Sequence, residues 1–336
     1  MEVVLTGITT TGTPHIGNYV GAIRPAVIAS QRDGVGNYFF LADYHSLVKG
    51  SDPDQVARST LEIAASWLAA GLNPASVFYR QSDVPEITEL CWVLTCSTAK
   101  GLMNRAHAYK AAVDDNTARG NRDPDQGIMM GLFCYPILMA ADILMFKANK
   151  VPVGKDQIQH VEMARDIAAR FNHHYGTMFV LPEAQISNSS AVLPGLDGRK
   201  MSKTYSNTIP LFAEQKKLRK LIMKIKTNSL EPGEPKDPED CTLFATYRAF
   251  ATEAETTALR ARYADGIAWG EMKQLLFEYI DAHLEQPRQE YKRLLAAPDH
   301  VESVLRAGAA RARATSRPFM EQIRRAVGIR SLGGSA

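Results

Sequence analysis

The sequence predicts an α/β fold: a Rossmann-like, doubly wound parallel sheet followed by a mainly helical region. Three observations carry this. Short apolar runs alternate with longer helical patterns through the first half of the chain, an order that builds parallel sheets with right-handed crossovers. From Leu211 onward the pattern is almost wholly helical. The 336 residues, 45% hydrophobic and without an internal repeat, suffice for a buried core in one large domain or two smaller ones. The natural division puts the α/β part in residues 1–206 and the helical part in 207–336.

Four segments read as strands. Val3–Leu5 is ended by Thr6-Gly7, Tyr38–Ala42 is rich in aromatics, Val77–Arg80 is short, and Val151-Pro152-Val153-Gly154 returns to the sheet. Helical periodicity covers 17–31 and 53–70, the latter with Asp52 as cap and Pro53 in the first turn. Residues 111–127 carry few large apolar groups and read as a mobile surface loop. A helical pattern then spans 128–146, and another runs from about Asp156 to Phe171. Residues 188–208 are turn-rich and read as a second mobile loop. The helical part has expected breaks at 231–238 and around Pro287 and Pro298, and its last helices are free to pack back on the α/β part.

Composition excludes several classes. With 22% charged residues and ordinary aromatic content, this is a soluble globular chain rather than a disordered one. A net charge of +3 does not announce a nucleic-acid partner, so any RNA contact must rest on local charge. Cys91, Cys96, Cys134 and Cys241 lack C-x-x-C spacing and read as scattered buried thiols of a reducing cytoplasm, with no protein-held metal expected. The start Met1–Gly7 reads as a first strand, not a signal peptide. The most apolar stretch, 128–146, is interrupted by Gly131, Pro136 and Asp142, so a buried helix is expected rather than a membrane span.

Four constellations point to chemistry. Thr13-Pro14-His15-Ile16-Gly17-Asn18 follows the first strand and opens a helix. A helix N-terminus offers unpaired N–H groups and a positive dipole end, both suited to phosphate. His15 and Asn18 add donors, and Gly17 permits close approach of a nucleotide; an ordinary glycine turn with a capping Asn accounts for the same residues. Lys200-Met201-Ser202-Lys203-Thr204 places two ammonium groups on a flexible loop, where they can follow the charge of departing pyrophosphate or serve merely as a solvated basic loop.

The third segment, Tyr135 to Leu144, buries polar groups in an apolar run. Positions 135, 139, 142 and 146 share one helical face, which would present Tyr135, Met139, Asp142 and Phe146 to one pocket. A buried carboxylate costs several kcal/mol, roughly, unless paired. An indole N–H, donor only, suits Asp142; so does a lysine or arginine elsewhere in the chain, or a helix-capping role. The fourth segment, Val151 to His160, runs from strand to helix at the carboxyl edge of the sheet, where open α/β folds bind ligands. Asp156 there suits ribose hydroxyls or a helix cap, and Gln157 suits the backbone of an amino acid.

HIGN (15–18) and KMSKT (200–204), in this order around an intact α/β half, resemble the HIGH and KMSKS signatures of class I aminoacyl-tRNA synthetases. With Gly17–Ala22, Gln81–Pro85 and the two segments above, nearly the whole chain resembles the bacterial tryptophanyl-tRNA synthetases. The resemblance implies activation of L-tryptophan with ATP and Mg²⁺ to tryptophanyl-AMP, then transfer to the 3′ end of tRNA(Trp). By it, His15, Asn18, Lys200, Ser202 and Lys203 are catalytic, and Asp142 reads the indole nitrogen. Tyr135, Met139, Gln157 and His45 line the amino-acid site. Thr9, Thr10, Thr11, Gly17, Asn18, Gly154, Lys155, Asp156 and Lys200 through Thr204 (Lys200, Met201, Ser202, Lys203, Thr204) face ATP. Val192 backs the adenine, and Lys110 reaches a phosphate. Thr9-Thr10-Thr11 stand where the family often has Gln-Pro-Ser, and the iron–sulfur cysteine cluster of some relatives is absent.

The resemblance also implies a cytoplasmic homodimer and a helical anticodon-binding region. Two basic groups qualify for RNA phosphates: Lys216, Lys217, Arg219, Lys220, Lys224 and Lys226 around the apolar face Leu218, Leu221, Ile222 and Ile225, and Arg306, Arg311, Arg313, Arg317, Arg324, Arg325 and Arg330 on the last helices. Solvated helix faces account equally for each of them.

Overall fold

Val3–Thr9 (β1), Gly36–Ala42 (β2), Val77–Arg80 (β3), Lys150–Val153 (β4) and Glu183–Ile186 (β5) pair in parallel in the order β3-β2-β1-β4-β5. The computed structural model describes residues 2–50, 52–186 and 193–332. Beyond β1 the sheet grows first to one side and then to the other, so the switch point of a doubly wound sheet lies between β1 and β4. β5 escaped the sequence reading because its four edge residues, EAQI, carry almost no apolar signal.

Alternation along β2 divides the core. Phe39 and Leu41 join a buried cluster on one face; Phe40 and Ala42 join another on the opposite face. Gly7 of β1 is set by this packing, since a Cβ there would lie 2.4 Å from the Phe40 ring.

The helices of the α/β part are α1 (Ile16–Asn18), α2 (Arg24–Ser30), α3 (Asp43–Ser46), α4 (Pro53–Ala69), α5 (Glu86–Ser97), α6 (Lys100–Met103), α7 (His107–Ala118), α8 (Met130–Met145) and α9 (Ile158–Tyr175). Between α1 and α2 a π turn, Tyr19–Ile23, carries the bond from Arg24 N–H to the Tyr19 carbonyl. Pro25 follows at once and has no N–H to give, and the wider turn absorbs the interruption. Asp52 does cap α4, accepting from Asp54 N–H at 3.1 Å, with Pro53 in the first turn.

The reading of 111–127 as a loop is corrected by α7. Its return is tied by Asn116, which donates to the carbonyls of Pro124 (2.8 Å) and Gln126 (2.9 Å), and by Tyr109, bonded to Asp125 at 2.7 Å. Polar side chains fasten what apolar periodicity does not reveal.

The helical part comprises α10 (Gln215–Met223), α11 (Thr242–Arg248), α12 (Glu253–Ala264), α13 (Trp269–Leu295) and α14 (Pro298–Ala326). Pro298 opens α14 as expected, but Pro287 lies inside α13 and does not end it. That helix is held along its length by α4, α10 and α11, and packing outweighs one lost backbone bond. α14 turns back and covers the edge strand β3. The approach is so close that a Cβ on Gly308 would sit 1.6 Å from the Phe78 carbonyl oxygen.

Candidate active site

The segments singled out in the sequence meet at the carboxyl ends of the strands. β1 delivers Thr9 to Thr11, β2 leads to His45 on α3, β3 to Gln81, and β4 to Gly154 through Gln157. α8 adds Tyr135, Met139 and Asp142.

Asp142 is 1% exposed. Its carboxylate accepts from Gln81 Nε2 at 2.8 and 3.0 Å and faces His45 Nε2 at 2.9 Å. Neither a lysine or arginine partner nor a capping role is what the fold provides; the partners are a neutral amide and an imidazole. Burial raises the Asp142 pKa, and the bonds from His45 and Gln81 oppose that rise. Gln81 is itself fully buried and accepts from Tyr44 N–H at 3.2 Å. The sequence marks Gln81 only as part of the segment Gln81–Pro85 and gives it no role, although its place directly after β3 at the carboxyl edge is a usable signal.

Tyr135 and Gln157 are joined through His160, whose Nε2 lies 2.6 Å from the Tyr135 hydroxyl and whose Nδ1 lies 2.7 Å from Gln157 Oε1. The rings of His45 and Tyr135 meet edge to face at 6.4 Å. Met139, half-buried, lies about one turn from Tyr135 and from Asp142 on α8. Phe146 does not join them. It stacks on Tyr38 at 4.4 Å and packs near Tyr79, because it ends α8 where the chain enters the core behind the sheet.

On the other side of β1, His15 caps α1. Its Nδ1 accepts from Asn18 N–H at 3.3 Å, while Asn18 Oδ1 accepts from His15 N–H at 3.1 Å. The imidazole is 8% exposed, and burial together with the Lys203 charge lowers its pKa to about 4. A neutral ring with Nδ1 accepting carries its proton on Nε2, ready to donate. Gly17 makes room first for this ring, since a Cβ would come within 3.0 Å of it. Thr10, 1% exposed, keeps a buried hydroxyl without a partner among the described residues.

The basic loop is tied to this motif. Ile16 N–H donates to the Ile209 carbonyl (3.0 Å) and Leu211 N–H to the Pro14 carbonyl (2.9 Å). Lys203 Nζ donates to the Thr11 carbonyl. Met201 is buried and anchors the loop, whereas Lys200, Lys203 and Thr204 are exposed. Asn207, buried, holds the loop's shape: its amide donates to Asp197 (2.7 Å) and to the Lys200 carbonyl (3.1 Å), and its oxygen accepts from Ser202 N–H (2.8 Å). The same bond, with help from Arg199, lowers the Asp197 pKa to about 2. Nothing in the sequence pattern marked Asn207. The loop from 193 to 208 is thus internally fastened rather than loose; Val192 lies outside the described residues.

Lys155 and Asp156 are exposed in a 3₁₀ turn before α9, and neither Gly154 nor Gln157 receives a side-chain cap, so Asp156 is not a helix cap. A Cβ on Gly154 would lie 2.7 Å from the Asp156 carboxylate, which would have to swing aside. Lys110 is exposed on α7. The reading of the cysteines as buried is corrected: Cys96 is exposed, and Cys91, Cys134 and Cys241 are half-buried.

The arginines of α14 serve the fold. Arg313 pairs with Glu86 at 2.8 Å, Arg324 with Glu89 at 2.6 Å, Arg306 with Glu302 at 2.7 Å, and Arg311 donates to the Ser76 carbonyl at 2.7 Å. Arg317 sits 3.5 Å from Glu86. The bonds of Arg311, Arg313, Arg317 and Arg324 dock α14 on the α/β part, whereas Arg306 pairs within α14 itself. The lysines of α10 and its flank remain exposed, with Lys216, Lys217, Lys220 and Lys224 lining one groove.

Known proteins resemble this chain over nearly its whole length. Residues 2–285 match the family of class I tRNA synthetases for W and Y. A tryptophan–tRNA ligase of Pseudomonas putida is 60% identical over 336 residues, covering 99% of this chain and 75% of that protein. One from Neisseria meningitidis is 58% identical and covers 98% of both. The crystal structure of Campylobacter jejuni tryptophanyl-tRNA synthetase complexed with ADP and tryptophan superposes with a TM-score of 0.86 at 42% identity, covering 97% of this chain and 99% of that one.

Proposed function

The chain belongs to the class I tRNA synthetase family of the tryptophan and tyrosine enzymes, and from that premise we infer a tryptophan–tRNA ligase. It activates L-tryptophan with ATP, forming tryptophanyl-AMP and pyrophosphate, and transfers the aminoacyl group to tRNA(Trp). The observation that carries this reading is the juxtaposition of a buried, hydrogen-bonded Asp142 with the HIGN and KMSKT segments at one sheet edge.

Asp142 then receives the indole N–H. A carboxylate offers about four lone-pair positions, and two donors, Gln81 and His45, leave room for one more. Tyr135, Met139, Gln157 and His45 line the amino acid. Thr9 to Thr11, Gly17, Asn18, Gly154, Lys155, Asp156 and Lys200 to Thr204 take ATP. The tryptophan carboxylate attacks the α-phosphate, so no protein nucleophile is required. His15 donates from Nε2, and Lys200 and Lys203 meet the charge that gathers as pyrophosphate departs. Mg²⁺, a hard cation that keeps several waters, belongs with the triphosphate. Among the described residues no group of three His, Cys, Asp or Glu side chains gathers to cage it.

For the tRNA, residues 207–336 supply the anticodon-binding region and the exposed α10 lysines supply phosphate contacts. The active form is a homodimer. Its support is the exposure of large apolar side chains on and beside the two packed helices α5 and α8: Trp92 (68% exposed), Met129 and Met130. A cytoplasmic location goes with this function, and among the described residues no helix is long and apolar enough to cross a membrane.

Amino-acid-dependent pyrophosphate exchange across the twenty amino acids tests the reading. Exchange with tryptophan alone is expected; exchange driven by tyrosine, or by none, overturns it.

A further inference from the structure

We infer that His160 is a positioning residue that sets Tyr135 and Gln157 as hydrogen-bond acceptors for the ammonium group of the amino-acid substrate. The inference rests on the placement of Tyr135 and Gln157 in the amino-acid site. His160 lies on α9, is 4% exposed, and touches one of these residues with each ring nitrogen.

The direction of these bonds follows from donor chemistry. Gln157 Oε1, a carbonyl oxygen, can only accept, so His160 Nδ1 carries the proton. In a neutral ring Nε2 must then accept, and the Tyr135 hydroxyl is the donor, at 2.6 Å. With its hydrogen committed to His160, the phenolic oxygen offers only lone pairs to a ligand. The Gln157 carbonyl likewise retains a second lone pair. Two acceptors are what a substrate ammonium requires.

Protonation reverses this. A second proton on Nε2 must be donated to the Tyr135 oxygen, and the hydroxyl hydrogen then turns outward, toward the cation. Burial lowers the His160 pKa; His107 and His45 push the same way, Asp156 opposes, and the neutral Tyr135 completes the surroundings. The neutral ring, and with it tryptophan affinity, therefore persists through the neutral range and is lost only on acidification below the usual imidazole range.

The test uses the full chain with His160→Phe and His160→Gln. It reads the KM for tryptophan and ATP in pyrophosphate exchange, and competitive inhibition by tryptamine, which keeps the ammonium, and indole-3-propionate, which lacks it. For His160→Phe, the KM for tryptophan and the inhibition constant of tryptamine are expected to rise about tenfold, one lost hydrogen-bond's worth. The constant for indole-3-propionate and the KM for ATP are expected to hold within twofold. His160→Gln, which keeps an acceptor and a donor, is expected to restore most of the loss.

Equal weakening of both inhibitors, or of neither, overturns the inference. If His160→Phe fails to fold, the native enzyme decides: acidification must weaken tryptamine and spare indole-3-propionate, and a parallel response of the two refutes the role. Native enzyme without tryptophan-dependent exchange would instead overturn the functional reading itself.

Discussion

At the end of the site proposed for the amino acid, Asp142 is buried and already held by Gln81 and His45; at the end proposed for the nucleotide, Lys200 and Lys203 stand exposed on a loop. The contrast follows from what each end must do. A buried carboxylate is costly unless its partners are in place beforehand, and a network assembled in advance discriminates between ligands that complete it and ligands that do not. Exposed ammonium groups have paid little desolvation, so meeting charge as it moves during reaction costs them little. One end should therefore govern which amino acid binds, and the other how fast it reacts.

The largest expected effect tests the buried end. Asp142→Ala strands Gln81 Nε2 and His45 together with the indole N–H, a loss of about 4 kcal/mol from one charge-assisted bond and the unpaired donors left behind. The kcat/KM for tryptophan is expected to fall about 10³-fold; steady-state exchange within tenfold of native would remove Asp142 from its role. Next comes Lys203→Ala, expected to slow adenylate formation about 10²-fold with the tryptophan KM unchanged. A matching loss of tryptophan affinity in single-turnover experiments would erase the distinction between the two ends. Smallest is Asn207→Ala, which releases Ser202 N–H and Asp197 from their shared partner. About a tenfold drop in kcat is expected, one to two hydrogen bonds' worth, with tryptophan binding intact; unchanged kcat would show that the loop needs no such clasp.

Much of this architecture was legible because it is periodic or adjacent in sequence. The strand at Val77–Arg80 and the helix over Met130–Met145 announce themselves as a short and a long apolar run, of strand and helix length. The HIGN and KMSKT segments are contiguous, so their residues are found together. What was misread lacks period. α7 is polar and fastened by Asn116, β5 is four residues long, and Pro287 is carried inside α13 by its neighbours. The α14 arginines look alike in sequence, yet the acidic partners on α5 decide that several are structural.

By itself the sequence determined the strands β1 to β4 and their alternation with helices, the polar residue within an apolar helix, and the two signature segments, since each depends on near neighbours along the chain. Only the tertiary structure decided who meets Asp142. Gln81 is 61 residues away and His45 is 97, and no local propensity ranks one distant donor above another. Their meeting is set by the parallel crossovers that bring the ends of β2 and β3 beside α8. The same holds for Asn207 and the basic loop: a polar side chain's task depends on the groups folding leaves unpaired around it.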